Sequence, residues 1–179
     1  EYCVISQLMQ SPQRPCVFVL GGAKVADAFL MMETVLKGGA ADQVLTGGLV
    51  GNILLAAKGE DIGQASLDFI RKEGYQEFIQ SSQALLERYG DKIQLPTDLV
   101  YVQGCAMDIG PNTAAAYQRA IRAAKTVFVN GPMGVFEKPE TEAGTRMVWD
   151  ALADTQAFTV VGGGDSVTAT KKYGKTQDI

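Results

Sequence analysis

Uninterrupted apolar runs of four or five residues alternate along this chain with longer stretches of helical period. Cys16–Leu20, CVFVL, has no polar alternation, which predicts a strand buried on both faces, as in a parallel sheet. Val25, Phe29, Met32 and Leu36 then recur at helical spacing. They predict a helix over Val25–Lys37 with one apolar face, ended by Gly38-Gly39. Gln43–Thr46 reads as a short strand, Gly47-Gly48 as a turn and Leu49–Lys58 as a helix. Gln64–Tyr89 predicts one or two helices broken near Gly74, Gly90–Pro96 a turn with a short strand, and Leu99–Gln103 a strand. Asp108–Asn112 is expected as a loop, with Asn112 or Thr113 capping a helix that runs to Lys125. Thr126–Val129 and Phe158–Val161 read as buried strands, with a helix over Thr141–Ala153 between them. Glu1–Gln10 reads as the end of a helix, broken by Ser11-Pro12-Gln13-Arg14-Pro15.

Strands alternating with helices predict an α/β fold: a doubly wound, Rossmann-like parallel sheet with helices on both faces, three layers α/β/α. In such sheets ligands sit at the carboxyl ends of the strands. The glycine turns at 21–22, 47–48, 131–134 and 162–164 all follow strands, so one glycine-rich edge is the expected site. No domain boundary, repeat or low-complexity tract divides the 179 residues.

Composition removes whole classes of chemistry. The chain has no His, which excludes His-based triads, His-metal sites and His phosphorelays. Cys3, Cys16 and Cys105 are odd in number and lack CxxC spacing, which points to a reducing compartment, with no disulfide framework or zinc site. A net charge of −4 argues against nucleic acid as the main partner. No apolar run reaches membrane-spanning length, and a cytoplasmic location is expected. The chain begins Glu1-Tyr2 rather than with Met, so an engineered piece or a fragment of a longer protein is expected.

The most informative stretch is Phe158–Thr168, FTVVGGGDSVT. A strand running through glycines into a helix start is a device for holding anions, because the free N–H groups there point at the ligand. Asp165 would repel phosphate unless a cation such as Mg²⁺ lay between them. The other reading is a tight turn at Gly162–Gly164 with Asp165 as a helix cap. Two tempting motifs fail. Gly174-Lys175-Thr176 lacks the first glycine of a P-loop, whose place is taken by Ala169, and no GxGxxG follows a strand.

Four segments carry a resemblance: VLGGAKVAD at 19–27, DIGPNT at 108–113, VNGPMGVFE at 129–137 and GGGDSVTA at 162–169. In order and spacing they are similar to phosphoglycerate kinase, over nearly the whole chain. The resemblance is to the C-terminal, nucleotide-binding domain, so residues 1–179 are expected to be that domain. The family's N-terminal, phosphoglycerate-binding domain and its last C-terminal segment are expected to lie outside the chain. It implies reversible phosphoryl transfer between 1,3-bisphosphoglycerate and ADP in glycolysis and gluconeogenesis, with ATP/ADP and Mg²⁺. The acid substrate, 3-phosphoglycerate or 1,3-bisphosphoglycerate, would be met only through the absent domain. The isolated piece is therefore expected to bind nucleotide without turnover, and to self-associate through surface left uncovered.

Residue by residue, the resemblance implies that Lys24 contacts the nucleotide phosphates, within a Gly22-Ala23-Lys24 turn. Gly47 and Gly48 would wall the adenine. Asn130, Pro132 and Val135 would lie along the nucleotide, and Glu137 would bond the ribose. Gly162, Gly163 and Gly164 would present N–H groups to the phosphates, Asp165 would hold Mg²⁺, and Ser166 would stand at the adjoining helix start. Lys24, Gly163 and Gly164 would act in the transfer itself.

Each residue has a plainer reading. Lys24 alone is a solvated surface lysine, though its place after a strand and a glycine pair reverses that. Glu137 alone is a loop acid, and Asn130 alone tolerates unusual backbone. Cys105 and Met107 read as packing residues. The charges Arg71, Lys72, Glu73, Glu87, Arg88, Asp91 and Lys92 read as a solvated helical face. One departure stands out. Many family members have a second lysine one turn after the first, where this chain has Ala28. That keeps open a related module that binds nucleotide without catalysis. An oxidoreductase of Rossmann type is disfavoured by the missing fingerprint.

Overall fold

A computed structural model describes residues 14–21, 25–39, 41–134, 139–162 and 168–171. Strand β1 is Cys16–Leu20, every residue of it buried. Helix α1, Val25–Lys37, buries Val25, Phe29, Met32 and Leu36 as the period predicts, with Ala28 and Val35 beside them. Strand β2, Gln43–Thr46, and helix α2, Gly48–Lys58, follow. The stretch read as one or two helices is two: α3, Gln64–Lys72, and α4, Gln76–Tyr89, separated at Gly74, whose φ is +79. Strand β3 is Ile93–Gln94. Helix α5 is Pro111–Ala123, β6 Thr126–Asn130, α6 Ala143–Asp154 and β7 Phe158–Gly162, with a short 3₁₀ turn at Pro139–Thr141.

The main sheet has strand order β3-β2-β1-β6-β7, and every pairing in it is parallel. Alternate residues of β1 enter two different cores. Cys16, Phe18 and Leu20 pack with α1 and α2 on one face, while Val17 and Val19 pack with α5 and α6 on the other. This is the predicted α/β/α sandwich.

Two expectations are corrected. Asp108 and Ile109 do not open a loop. They end β5, Cys105–Ile109, which pairs antiparallel with β4, Leu99–Val102, as a separate hairpin. A polar Asp beside Gly-Pro masks a strand in the sequence, and the carboxylate finds buried partners only in three dimensions. Phe158–Val161 is a strand, but not a buried one. Phe158 is 60% exposed, because β7 pairs with β6 alone among the described residues. Cys105 and Met107 are half-buried, while Arg71, Lys72, Glu73, Glu87, Arg88 and Asp91 are exposed as read and Lys92 is half-buried. Burial, then the neighbouring Asp42 carboxylate, pushes the Cys16 thiol up to about 11, with Arg14 acting the other way. Among the described residues no helix is long and apolar enough to cross a membrane.

Candidate functional site

The chain lays β1, β2 and β3 outward in one direction, then returns to place β6 and β7 on the other side of β1. The strand order therefore reverses between β1 and β6, and a crevice outside the carboxyl ends at such a point is where open α/β sheets take ligands. Gly21, Gly47-Gly48, Gly131–Gly134 and Gly162 stand at the carboxyl ends of β1, β2, β6 and β7. Of the residues picked out in the sequence, Gly47, Gly48, Asn130, Pro132 and Gly162 are thus brought to one edge. Gly22, Ala23, Lys24, Val135, Glu137, Gly163, Gly164, Asp165 and Ser166 lie outside the described residues. Asn130 has no unusual backbone. It is the last residue of β6, in register with Leu20 on one side and Gly162 on the other. The left-handed residue is its neighbour Gly131, at φ +102.

The segment from Gly131 to Gly134 crosses the ends of β1 and β2 and is tied on every side. The Gly21 N–H donates to the Asn130 carbonyl at 3.0 Å, and the Gly48 N–H to the Met133 carbonyl at 2.7 Å. A side chain at Gly21 would strike the Pro132 carbonyl, and one at Gly47 would lie 2.6 Å from the Met133 sulfur. These glycines are needed because backbone passes over them. The Met133 N–H donates to Thr145 Oγ1 at 3.1 Å, and Gly134 sits so close to Met107 and Asp108 that a Cβ would be 2.7 Å from Asp108 Oδ1. The β2 end is held as firmly. The Tyr117 hydroxyl donates to the Thr46 carbonyl at 2.6 Å, and Thr46 Oγ1 donates to the Gln94 carbonyl at 2.8 Å. Burial pushes the Tyr117 phenol well above its ordinary range.

Two aspartates brace the hairpin to the helices beside this edge. Asp108, 3% exposed, accepts the N–H of Gly144 in the first turn of α6 and of Ile109, both at 2.9 Å. Burial pushes its carboxyl up to about 6, against the pull of those two bonds. Asp98 accepts the N–H groups of Asn112 and Thr113 at 3.0 and 2.8 Å and the Thr113 hydroxyl at 2.5 Å. So α5 is capped neither by Asn112 nor by Thr113. Gly110 is its cap residue, and the carboxylate arrives from before β4. The hairpin is also pinned through Ala106, whose carbonyl accepts from Asn52 and whose N–H donates to Ser66.

Sequence reasoning missed Asp108, Met133 and Thr145 as parts of this edge. Their partners are distant in sequence, and only the DIGPNT and VNGPMGVFE segments drew attention to the first two. Among the described residues no group of three or more His, Cys, Asp or Glu could hold a metal ion. The carboxylate expected to meet Mg²⁺, Asp165, is outside that set.

Fold and edge together define a class: a doubly wound α/β domain whose glycine-bearing strand ends meet at the reversal of strand order. The family model for phosphoglycerate kinase matches residues 1–179, and the chain belongs to that family. It is 39% identical over 193 residues to the phosphoglycerate kinase of Methanothermobacter thermautotrophicus, covering 100% of this chain and 47% of the relative. It superposes on the crystal structure of phosphoglycerate kinase from Pyrococcus horikoshii with a TM-score of 0.90 at 36% identity, covering 96% of this chain and 47% of that one. On the Coxiella burnetii phosphoglycerate kinase structure the TM-score is 0.85 at 30% identity, with 98% and 48% covered. The chain spans about half the length of the curated relatives it matches.

Proposed function

We propose that residues 1–179 are the C-terminal, nucleotide-binding domain of a cytoplasmic phosphoglycerate kinase. The chain would bind Mg-ADP or Mg-ATP in an enzyme that moves a phosphoryl group reversibly between 1,3-bisphosphoglycerate and ADP, in glycolysis and gluconeogenesis. The observation that carries this reading is the meeting of four glycine-bearing strand ends at one sheet edge in a chain of this family. Glycines let backbone N–H groups approach phosphate closely, and helix starts favour negative charge. Phosphoryl transfer needs charge neutralisation and alignment more than a general base, so the lack of His is no obstacle.

In this reading Gly47 and Gly48 wall the adenine, Asn130, Pro132 and Val135 line the nucleotide and Glu137 meets the ribose. Gly22, Ala23, Lys24 and Gly162–Gly164 meet the phosphates, with Ser166 at the adjoining helix start. Asp165 would hold Mg²⁺, which supplies charge neutralisation between the phosphates and the protein. A second reading, binding without transfer, rests on Ala28. Ala28 is 2% exposed in the α1 core face, and its methyl group offers a ligand no charge. Turnover by the full-length parent separates the two.

Calorimetric titration with ATP, ATP plus Mg²⁺ and adenosine tests the assignment. Lys24→Ala should weaken nucleotide binding by about ten- to a hundred-fold with or without metal, the scale of one charge-assisted contact. Asp165→Ala should remove mainly the Mg²⁺-dependent part of the affinity, and both losses should shrink for adenosine. An Asp165→Ala loss equally large without Mg²⁺ would make that residue a structural cap instead.

A further inference from the structure

We propose that Asp108 and Thr145 are positioning residues for the nucleotide: from β5 and the first turn of α6 they fix the segment Gly131–Gly134 against Gly47 and Gly48. The inference rests on the nucleotide reading above, and adds to it two residues that would not touch the ligand. Asp108 is 3% exposed and Thr145 0% exposed. Thr145 Oγ1 takes the N–H of Met133 directly, at 3.1 Å. Asp108 acts one step back. Its Oδ2 takes the N–H of Gly144 at 2.9 Å, which sets where α6 begins and so where the Thr145 hydroxyl lies. The same carboxylate is the surface on which Gly134 rests, since a Cβ there would come within 2.7 Å of Oδ1.

Met133 carries this to the ligand edge. Its N–H is held by Thr145, its carbonyl accepts the Gly48 N–H at 2.7 Å, and its sulfur covers Gly47. Met133 itself is 0% exposed, so it has little room to readjust on its own. A change at either brace must move Met133, and with it the backbone of Gly47-Gly48. Those glycines are assigned to the adenine and not to the phosphates. The effect should therefore fall on the base end of the ligand, which sets Asp108 and Thr145 apart from Lys24 and Asp165.

The test is titration of the chain and of Asp108→Asn, Thr145→Val and Thr145→Ser with Mg-ADP and with adenosine, alongside unfolding midpoints and the NMR signal of the Met133 methyl group. Asp108→Asn keeps shape but can accept only one of the two N–H bonds. Thr145→Val keeps shape and loses the acceptor, and Thr145→Ser keeps it. Asp108→Asn and Thr145→Val should each bind both ligands about ten-fold more weakly, the scale of one lost hydrogen bond in a buried setting, with Thr145→Ser within about two-fold of the parent. The Met133 methyl signal of the free protein should move in the first two variants and stay in the third. Folded variants that bind both ligands as the parent does would overturn the inference, as would a loss that vanishes with adenosine. Should Asp108→Asn not fold, the Thr145 pair decides alone. If the parent chain binds neither ligand, the nucleotide reading itself falls and takes the positioning role with it.

Discussion

Asp98, just before β4, and Asp108, in β5, flank one hairpin and do the same job. Each reaches across the fold to bond N–H groups in the first turn of a helix, α5 for Asp98 and α6 for Asp108. Their electrostatics nevertheless run in opposite directions. Partial burial is the largest single influence on Asp98 and pushes it up. The bonds from the Thr113 hydroxyl and N–H and from the Asn112 N–H together outweigh burial, and hold the carboxyl below its ordinary range. Asp108 is more deeply buried and has two backbone donors, so desolvation wins and its carboxyl rises to about 6. A cap is thus not one kind of interaction. The count of donors against the depth of burial decides whether the charged carboxylate is favoured.

The largest effect should come from deleting the better-satisfied cap. Asp98→Ala removes the acceptor for three hydrogen bonds and should cost about 2–3 kcal/mol in urea denaturation, since bonds to a charged acceptor are among the stronger ones. A cost no larger than that of an ordinary surface substitution would mean that α5 needs no cap from outside. Next comes Gly144→Ala, which drives a methyl group into the Asp108 carboxylate and lies 2.5 Å from Ile109. Forced displacement in a packed interior predicts a loss of about 2 kcal/mol, and the double variant with Asp108→Ala should lose less than the sum of the two single changes.

The third effect is the most specific. The Asp108 carboxyl rises from 3.8 to about 6 on folding, so the folded protein binds that proton more tightly than the unfolded chain. Its contribution to stability is present below about pH 4 and is lost as pH rises to about 6. Asp98 has the opposite sign: its contribution is present above its ordinary value of 3.8 and is lost as pH falls. Unfolding free energies measured against pH should therefore show the parent losing stability relative to Asp108→Asn between about pH 4 and pH 6, with a flat difference above that. A difference that grows in favour of the parent across that window would reverse the assignment.

The same contrast explains what could be read in the sequence. Cys16–Leu20 and Val25–Lys37 were legible because apolar runs and helical period are local signals, and Gly74 marked the break between α3 and α4. The glycines of the candidate site were legible for the same reason, since each follows a strand directly. The caps were not. Asn112 and Thr113 look like cap residues by type, yet the carboxylate that serves α5 comes from Asp98, before a different strand. Asp108 looks like a loop residue until Gly144 is brought to it. Phe158 has the composition of a core strand, and only its place in the sheet leaves it 60% exposed. Met133 and Thr145 gave no sign of their partnership, because nothing in the spacing of the chain brings α6 to the end of β6.

The central strand also sets a timetable. Cys16 lies beside Thr126 and Leu20 beside Asn130, so β1 waits for roughly a hundred residues of intervening chain before its second edge is covered, a separation that slows closure. During synthesis the β1–α1–β2 unit emerges before β6, and until β6 follows it has one open edge, a condition that favours wrong pairings. Until β6 arrives there is no Asn130 carbonyl for the Gly21 N–H and no Met133 to lie on Gly47. The glycine-bearing edge is therefore complete only once the sheet around β1 has closed.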